Sequence, residues 1–314
     1  MSDLKYLPIS YLDEALLLPL MEEEEKAWMS DLGWDYSPIR QILVSFVKQK
    51  LLPGYVAVSE KAAIGYTYFL VNQTKGIIGA LYVSKISRSQ EAIEELLSLT
   101  ISCLKESQNI KRVEAQIMPF HNVNLPATFT KHGFGYYPRY YLDLDLSLNA
   151  RFKGTEASSI ERIIPWNSAY LERAAEMTLI SYRNQTDAEI CEDYRTKAGC
   201  ESYLRSLVDN PGCGIFMPEA SFIGLDSQGD PCGFVICCRI SGGAAMIPQI
   251  AVHPSYQGRG LGNVLMGRSF DQLKAMSFRS VSLTVTKKNR RAYDWYQRLG
   301  FRIRKEFGAY VWER

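Results

Sequence analysis

The fold is decided by the stretch Ile250-Ala-Val-His-Pro-Ser-Tyr-Gln-Gly-Arg-Gly-Leu-Gly262. An apolar strand runs into three alternating glycines, and an amphipathic segment begins at Asn263. Glycine allows main-chain N–H groups to approach a ligand closely, and the N-terminus of a helix favours negative charge. The stretch therefore predicts a loop that binds the phosphate groups of a nucleotide cofactor.

The residues on either side of this loop predict alternating helices and strands. Upstream, Pro165–Ser168 opens a helix with Asn167 or Ser168 as its N-cap, because both side chains accept hydrogen bonds from free helical N–H groups. Apolar periodicity and turn residues place the other elements: helix 197–208, strands 214–225, 233–240 and 246–252, a helix with Met266, Phe270 and Leu273 on one face, strand 281–285, helix 290–299 closed by Gly300, and terminal strands from Phe301.

Pro248 interrupts the strand that enters the glycine loop. Proline has no N–H group to donate to a neighbouring strand, so we expect the ladder to bulge or to be unpaired on one side there. A strand that parts from its neighbour leaves a cleft beside the loop.

The composition narrows the class of protein. The chain has 314 residues, of which 46% are hydrophobic and 22% charged, and this length accommodates two domains of ordinary size. A net charge of +2 gives no signature of a nucleic-acid-binding protein. The seven cysteines form no CxxC pair, and the sequence has neither a signal peptide nor an apolar run of about 18 residues. We therefore expect a cytoplasmic protein that binds neither nucleic acid nor membranes and holds no metal.

The second half of the chain resembles the GCN5-related N-acetyltransferase (GNAT) family. The resemblance is carried by Ile250–Val252, by Gln257–Gly262, which fits the family's Q/R-x-x-G-x-G/A signature, by Asn289, and by Asp294–Phe301, which is similar to the family's terminal Gly-Phe motif. It covers roughly residues 165–314. It implies an α/β (α+β) fold with a mixed, mostly antiparallel sheet that is flanked by helices and has splayed central strands.

The resemblance also implies a binding site for acetyl-CoA between the splayed strands. Main-chain groups of Ile250 and Val252 would pair with the pantetheine and the thioester carbonyl, Asn289 would bind a pantetheine amide, and the N–H groups of 258–263 would hold the pyrophosphate. The implied cofactor-binding residues are Ile250, Ala251, Val252, Gln257, Gly258, Arg259, Gly260, Leu261, Gly262, Asn263, Asn289 and Tyr296. Nearby Lys287, Lys288, Arg290 and Arg291 are either ligands of the 3′-phosphate or a solvated run of charge.

Tyr296 matches the tyrosine that acts as general acid in the family. A phenol with a pKa of about 10 is suited to protonate a thiolate whose thiol has a pKa of about 8.5. The alternative is that Tyr296 is a core aromatic residue on an amphipathic helix.

The resemblance does not identify a general base. Met246 and Thr284 stand where many members carry a glutamate, and neither side chain can accept a proton. Acidic residues that could attract a cationic amine follow the first helix of the second half or lie in its second predicted strand: Asp187, Glu189, Glu192, Asp193 and Glu219. The alternative for those that follow the helix is a solvated helix start. Gln249 is a further candidate for the acceptor site, and we expect His253 to be structural.

The first half repeats the second at a constant offset. Gly133, Phe134 and Asn122 each lie 167 residues before Gly300, Phe301 and Asn289, which predicts two tandem GNAT-like domains. At the same offset the glycine loop corresponds to 90–95, which contains no glycine, and Tyr296 corresponds to Phe129. We therefore predict a degenerate, non-catalytic domain over 1–148, a linker over 149–160, and a catalytic domain over 161–314.

Glu22–Glu25 is most simply an exposed helical turn. Trp28, Trp34 and Tyr36, close by, are either core aromatic residues or the lining of an interface or acceptor groove.

The sequence thus favours an acetyl-CoA-dependent N-acetyltransferase that acts on a primary amine of a small molecule or peptide by direct attack. Two alternatives stay open: a transferase of another short acyl group, and a non-catalytic module that binds acyl-CoA. The expected partners are acetyl-CoA and an amine acceptor, and the expected assembly is a monomer or a homodimer.

Overall fold

The computed structural model describes residues 4–60, 62–87, 90–120, 124–148 and 162–314. The chain divides into two compact units, Met1–Arg139 with Glu306–Arg314, and Tyr140–Lys305, called unit 1 and unit 2 below. The predicted linker over 149–160 and the predicted repeat residue Asn122 lie outside the described residues. In the described part, none of the helices combines the length and hydrophobicity that a membrane crossing requires.

Unit 1 is a sheet with helices. Its elements in chain order are β1 (Leu4–Pro8), α1 (Glu14–Leu32), α2 (Ser37–Lys48), β2 (Gly54–Ser59), β3 (Ala62–Asn72), β4 (Lys75–Val83), α3 (Gln90–Glu106), β5 (Arg112–Ile117), α4 (Leu125–Lys131) and the start of β6 (Gly135–Asp145).

The described residues of unit 1 form antiparallel strand pairs and one parallel pair. β1, β2, β3 and β4 pair antiparallel in sequence order, whereas β4 pairs parallel with β5 over Lys75–Ile78 and Arg112–Ala115. A parallel pair requires a crossover, and α3 supplies it. On its other side β5 pairs antiparallel with Gly308–Glu313, a segment from the far end of the chain.

Unit 2 has the same plan. Its elements in chain order are β7 (Arg162–Pro165), α5 (Leu171–Tyr182), α6 (Thr186–Ile190), α7 (Lys197–Asp209), β8 (Ile215–Phe216), β9 (Phe222–Leu225), β10 (Pro231–Arg239), β11 (Ala244–Val252), α8 (Leu261–Ala275), β12 (Ser280–Thr286), α9 (Arg290–Arg298) and the start of β13 (Arg302–Glu313).

The sheet of unit 2 also contains one parallel pair. β7, β9, β10 and β11 pair antiparallel, β11 pairs parallel with β12 across the α8 crossover, and β12 is followed in the sheet by β6. This confirms the predicted fold class, a mixed and largely antiparallel sheet flanked by helices. On one face, α8 buries Met266, Phe270 and Leu273, as predicted from their spacing.

Two predicted elements of unit 2 are wrong in detail, and one helix start is confirmed. The strand predicted over 214–225 is broken after Phe216 by a 3-10 turn at Pro218–Ala220, because Pro218 has no N–H group to give a ladder. The predicted N-cap at Asn167 is confirmed, since Asn167 caps a 3-10 turn that leads into α5, and Pro165 ends β7 just before it. The predicted terminal strands are the single strand β13.

The carboxylate of Glu24 is buried inside unit 1, so the prediction of an exposed turn is wrong at this residue. Its side chain is 2% exposed. One oxygen accepts a hydrogen bond from Trp28 Nε1 at 3.1 Å, and the other accepts from the Tyr66 hydroxyl. Burial raises the pKa of Glu24 from 4.5 to about 7, although both hydrogen bonds act in the opposite direction.

The aromatic residues near Glu24 lie in the core. Trp28 stacks on Tyr36 with ring centroids 4.8 Å apart, and its other ring neighbours are Trp34 and Phe120. Trp34 and Tyr36 are buried. The sequence left two interpretations open, and the structure supports the one in which these residues belong to the core.

We expect Glu24→Gln to remove a pH dependence of stability. Between pH 4.5 and about 7 the unfolded chain releases a proton that folded Glu24 retains, so the free energy of unfolding falls as the pH rises through this window. The full effect is about 3 kcal/mol, from about 1.4 kcal/mol for each pKa unit. Urea unfolding at pH 5 and pH 7.5 should show Glu24→Gln gaining stability over the wild type only at the higher pH.

The exposed neighbour provides the control, since Glu22→Gln removes a carboxylate from the same helix without a burial cost. An equal gain for both variants at pH 7.5 would contradict the assignment of the effect to burial.

Candidate active site

The site begins where β11 and β12 part. Their parallel ladder joins Ala244–Met246 to Ser280–Ser282 and stops there, although both strands continue. On the other side of β11, Ile247 and Pro248 together oppose the single residue Cys237 of β10, which is a β-bulge. The predicted irregularity at Pro248 is therefore confirmed, and the two strands open beyond it.

Ile250 and Val252 turn their main-chain groups toward this opening. The register pairs Val252 with Gly233, and the N–H of His253 donates to the carbonyl of Cys232 at 2.9 Å. Val252 is therefore in a non-hydrogen-bonded pair, and so is Ile250 two residues earlier. Their N–H and C=O groups face away from β10, toward the side where β12 has left.

Side chains contact the carbonyl oxygens of Ile250 and Val252. The hydroxyl of Tyr182 lies 3.4 Å from the carbonyl oxygen of Ile250. The carbonyl of Val252 accepts from Ser181 Oγ at 3.1 Å and from Gln257 Nε2 at 3.0 Å. Ala251, between them, points into the core on the other face and is buried.

The loop after β11 is held at its start by short-range hydrogen bonds. His253 Nδ1 accepts from the N–H of Ser255 at 3.3 Å and caps a 3-10 turn at Pro254–Tyr256, which is the structural role predicted for it. The hydroxyl of Tyr256 donates to Asp226 Oδ2 at 2.8 Å, and Arg259 lies over the ring of Tyr256.

The glycines of the loop adopt conformations that other residues rarely reach. Gly258 has φ +76° and Gly260, the N-cap of α8, has φ +86°. Leu261 then anchors the helix on the sheet so closely that a Cβ at Gly233 would lie 2.8 Å from its Cδ2 atom. The N-terminus of the fifteen-residue helix α8 is thus preceded by a loop of exposed main chain.

Helix α9 packs beside the start of α8. A Cβ at Gly262 would lie 3.1 Å from the ring of Trp295, and Trp295 Nε1 donates to Asn263 Oδ1 at 2.7 Å. Arg291 Nη1 donates to Gln257 Oε1 at 2.8 Å, so Gln257 joins α9 to the end of β11. Lys287, Lys288 and Arg290 are exposed.

Asn289 and Asp187 meet at the end of β12. Asn289 Oδ1 caps α9 by accepting from the N–H of Ala292 at 3.2 Å, and its Nδ2 lies 3.4 Å from Asp187 Oδ2. The other oxygen of Asp187 accepts from Thr286 Oγ1 at 2.8 Å. The structure therefore brings one predicted acceptor-site residue beside a predicted cofactor-binding residue.

The other acidic candidates have different surroundings. Glu189 is exposed and Glu192 is half-buried, while Asp193 Oδ2 accepts from the thiol of Cys191 at 3.6 Å. Glu219 lies in the 3-10 turn at Pro218–Ala220, so its placement in a strand was wrong. In the described part of the chain, no three His, Cys, Asp or Glu side chains are arranged to hold a metal ion.

Tyr296 lies on the buried face of α9. Its side chain is 7% exposed and packs against Trp295 and Phe301, with ring centroids 4.9 Å and 5.8 Å away. The helix presents Tyr296 to the interior and Arg290 and Arg291 to solvent.

Sequence reasoning missed the tyrosines beside Gln249. The Tyr194 hydroxyl donates to Gln249 Oε1 at 2.8 Å, and its ring stacks on Tyr182 at 4.4 Å and meets Tyr203 edge-on at 5.2 Å. Burial raises the pKa of Tyr194 and of Tyr203 well above that of an ordinary phenol. The spacing of Tyr182, Tyr194 and Tyr203 follows no helical or strand period, so pattern alone could not have grouped them.

Unit 1 has a comparable opening without the loop. The ladder of β4 and β5 stops at Ile78 and Ala115, and α3 begins by Gln90, so 90–95 is helix and the alignment of these residues with the glycine loop is wrong. The sequence between β4 and α3 also lacks glycine. A small pocket of about 20 Å³ lies between the ends of the two strands, lined by Leu81, Tyr82, Val83, Ile93, Met118, Pro119, Phe120 and Leu125.

We expect Asn289→Asp to destabilise unit 2 more than Asn289→Ala does. Alanine removes the cap of α9 and costs about 1 kcal/mol. Aspartate keeps the capping oxygen but sets a second carboxylate against Asp187, and the two like charges repel. Urea unfolding at pH 7.5 should rank the wild type above Asn289→Ala and both above Asn289→Asp. A loss with aspartate no larger than that with alanine would refute the contact with Asp187.

Comparison with known proteins matches the second half to a sequence family. Residues 187–301 fit the family model described as Acetyltransferase (GNAT) family. An uncharacterized N-acetyltransferase of Methanocaldococcus jannaschii is 32% identical over 114 residues, which cover 34% of this chain and 47% of that protein. The match thus spans about half the length of this curated relative.

Solved structures match the fold of the whole chain. A tandem GNAT protein from the clavulanic acid biosynthesis pathway has a TM-score of 0.65 at 14% identity, covering 99% of this chain and 98% of its own. A GCN5-related N-acetyltransferase from Sphaerobacter thermophilus has a TM-score of 0.69 at 14% identity, covering 99% and 95%. Residues 187–301 thus match the GNAT family of acetyltransferases, and the fold of the chain is similar to that of a tandem GNAT protein.

Proposed function

We propose that the protein is an acetyl-CoA-dependent N-acetyltransferase that acylates a primary amine of a small molecule or peptide in unit 2. The observation that carries the proposal is the glycine loop at the N-terminus of α8, directly after a strand whose main chain faces an opening in the sheet. Both features offer main-chain hydrogen bonds, one to phosphate oxygens and the other to an extended amide chain.

The residues present fit acetyl-CoA as substrate. N–H groups of Gly258 to Asn263 bind the pyrophosphate, aided by the positive end of the helix dipole. Main-chain groups of Ile250 and Val252 bind the pantetheine as an added strand would, and Asn289 Nδ2 lies at the same opening. Gln257 and Arg291 keep the loop against the end of β11.

The transfer requires a neutral amine, which attacks the thioester carbonyl carbon while the carbon–sulfur bond breaks. The leaving thiolate takes a proton from the Tyr296 hydroxyl, and the proton released by the amine passes to water. Gln249, Asp187, Glu189 and Glu192 are the acceptor-site residues of the proposal. Asp187 is held by Thr286, so we assign it the orientation of the amine by charge.

We assign catalysis to the second half, 161–314, and no chemistry to the first half, 1–148. In unit 1 the residues that follow β4 lack glycine, and Phe129 has no hydroxyl to donate.

A second candidate function is a non-catalytic module that binds acyl-CoA. It is favoured by one observation, the absence of a carboxylate at Met246 and Thr284 on the parting strands. Under this alternative the chain binds acetyl-CoA and turns over no amine.

A negative charge introduced into the glycine loop tests whether the loop binds acetyl-CoA. Asn and Asp both tolerate the left-handed conformation of Gly258 and have the same shape, and a Cβ there meets nothing within 4 Å. We expect Gly258→Asp to weaken acetyl-CoA binding roughly tenfold more than Gly258→Asn, because only aspartate repels the pyrophosphate. Calorimetric titration of both variants measures the difference, and equal affinities would remove the pyrophosphate from this loop.

Removing the hydroxyl of Tyr296 tests its proposed role as general acid. Tyr296→Phe should lower kcat by roughly 100-fold, the usual contribution of a general acid, while the affinity for acetyl-CoA stays nearly unchanged. Tyr293→Phe, on the same helix, provides the control and should keep its activity. The measurement is release of CoA across a panel of primary amines.

An unchanged kcat in Tyr296→Phe would remove this residue from the mechanism. Binding of acetyl-CoA without turnover of any amine by the wild type would favour the non-catalytic alternative.

A further inference from the structure

The amide of Gln249 is buried with only one of its ends satisfied. The side chain is 3% exposed, and its Oε1 accepts from the Tyr194 hydroxyl at 2.8 Å. Its Nε2 atom is buried and finds no hydrogen-bond partner among the described residues. A buried donor without a partner is costly, and such groups in native proteins call for an explanation.

The position of Gln249 supplies that explanation. It lies on β11 between Pro248 and Ile250, in the part of the strand that β12 has left. Tyr182, whose hydroxyl lies beside the carbonyl of Ile250, also stacks on Tyr194. The unpaired amide group and the main chain assigned to the thioester thus belong to one short stretch of strand at the opening.

The hydrogen bond from Tyr194 determines which end of the Gln249 amide is left without a partner. Tyr194 is fixed between the rings of Tyr182 and Tyr203. Its hydroxyl lies 2.8 Å from Gln249 Oε1 and donates a hydrogen bond to that oxygen. The two N–H bonds of Nε2 remain for a ligand, and they require an oxygen or another acceptor.

The surroundings favour a neutral acceptor atom over a carboxylate. The rings of Tyr182, Tyr194 and Tyr203 and the methyl of Ala251 form the same core cluster and carry no charge. The carboxylate of Asp187 stands at the end of β12, across the same opening, and would repel a second carboxylate. An amide carbonyl or a hydroxyl pairs with Nε2 without bringing an uncompensated charge into an apolar site.

We propose that Gln249 is a specificity-determining residue that selects acceptor amines carrying a neutral carbonyl or hydroxyl oxygen close to the amine. The proposal rests on the proposed function, since the amine is the group that attacks the thioester. It assigns to Gln249 Nε2 the donation of a hydrogen bond to that oxygen, and to Tyr194 the orientation of the Gln249 amide.

The test compares three probes, glycinamide, glycine and n-propylamine, with the wild type and with Gln249→Met. Methionine has nearly the shape of glutamine but donates no hydrogen bond. Because the amines differ in basicity, each is compared with itself across the two proteins. We expect Gln249→Met to lower kcat/KM for glycinamide roughly tenfold more than for n-propylamine, because the worth of one neutral hydrogen bond is lost only with glycinamide.

Two further variants separate this role from a structural one. Tyr194→Phe keeps the stacked ring but frees the Gln249 amide, so we expect part of the same loss for glycinamide alone. Gln228→Met, at an exposed glutamine of the turn before β10, should match the wild type with every amine. Thermal unfolding should give Gln249→Met a midpoint within a few degrees of the wild type, because the amide lost is already half unsatisfied.

Several outcomes would overturn the proposal: an equal loss for glycinamide and n-propylamine, a raised KM for acetyl-CoA with unchanged amine selectivity, or a loss for glycine in place of glycinamide. Calorimetric binding of glycinamide to the CoA-saturated protein separates this proposal from the proposed function. If no amine is turned over but glycinamide binds the wild type more tightly than Gln249→Met, recognition stands and the catalytic assignment fails.

Discussion

The architecture of unit 2 depends on one ladder of main-chain hydrogen bonds, between β11 and β12, that stops before either strand ends. Main-chain N–H and C=O groups inside a protein must be paired, and a strand beside another strand normally pairs them all. β11 pairs with β12 only as far as Met246 and then leaves it. Pro248, which has no N–H group, makes this departure less costly, and the bulge opposite Cys237 absorbs the change in direction. The opening, the exposed main chain of Ile250 and Val252 and the loop after them all follow from this break.

The chain covers the break with side chains that come from distant positions. Tyr182 and Ser181 reach the carbonyl oxygens of Ile250 and Val252 from the end of α5, and Gln257 reaches back from the loop. These contacts are single hydrogen bonds from hydroxyl and amide groups, which a ligand with its own donors can replace. The site is thus held in shape without a ligand, yet remains open to an extended polar chain.

Local physics explains what could be read from the sequence. Some features depend only on residues within a few positions of each other, and the sequence pattern predicted them. They are the glycine loop, the start and end of α8, the irregularity at Pro248 and the cap of α9 at Asn289. Glu24, Asp187 and Gln249 could not be placed in this way. Their partners Tyr66, Thr286 and Tyr194 are 42, 99 and 55 residues away, and only the folded chain brings them together. A run of glutamates looked solvated for the same reason, because a carboxylate is buried only when distant donors are available to it.

The exchange of strands between the two halves has a consequence for how the molecule is made. The sheet of unit 1 includes Gly308–Glu313, whose partner on β5 was synthesised nearly two hundred residues earlier. A ribosome delivers the chain from its N-terminus, so β5 has an unpaired edge during all of that time. Unit 1 therefore completes its sheet after the residues of unit 2 have been made, although it comes first in the sequence.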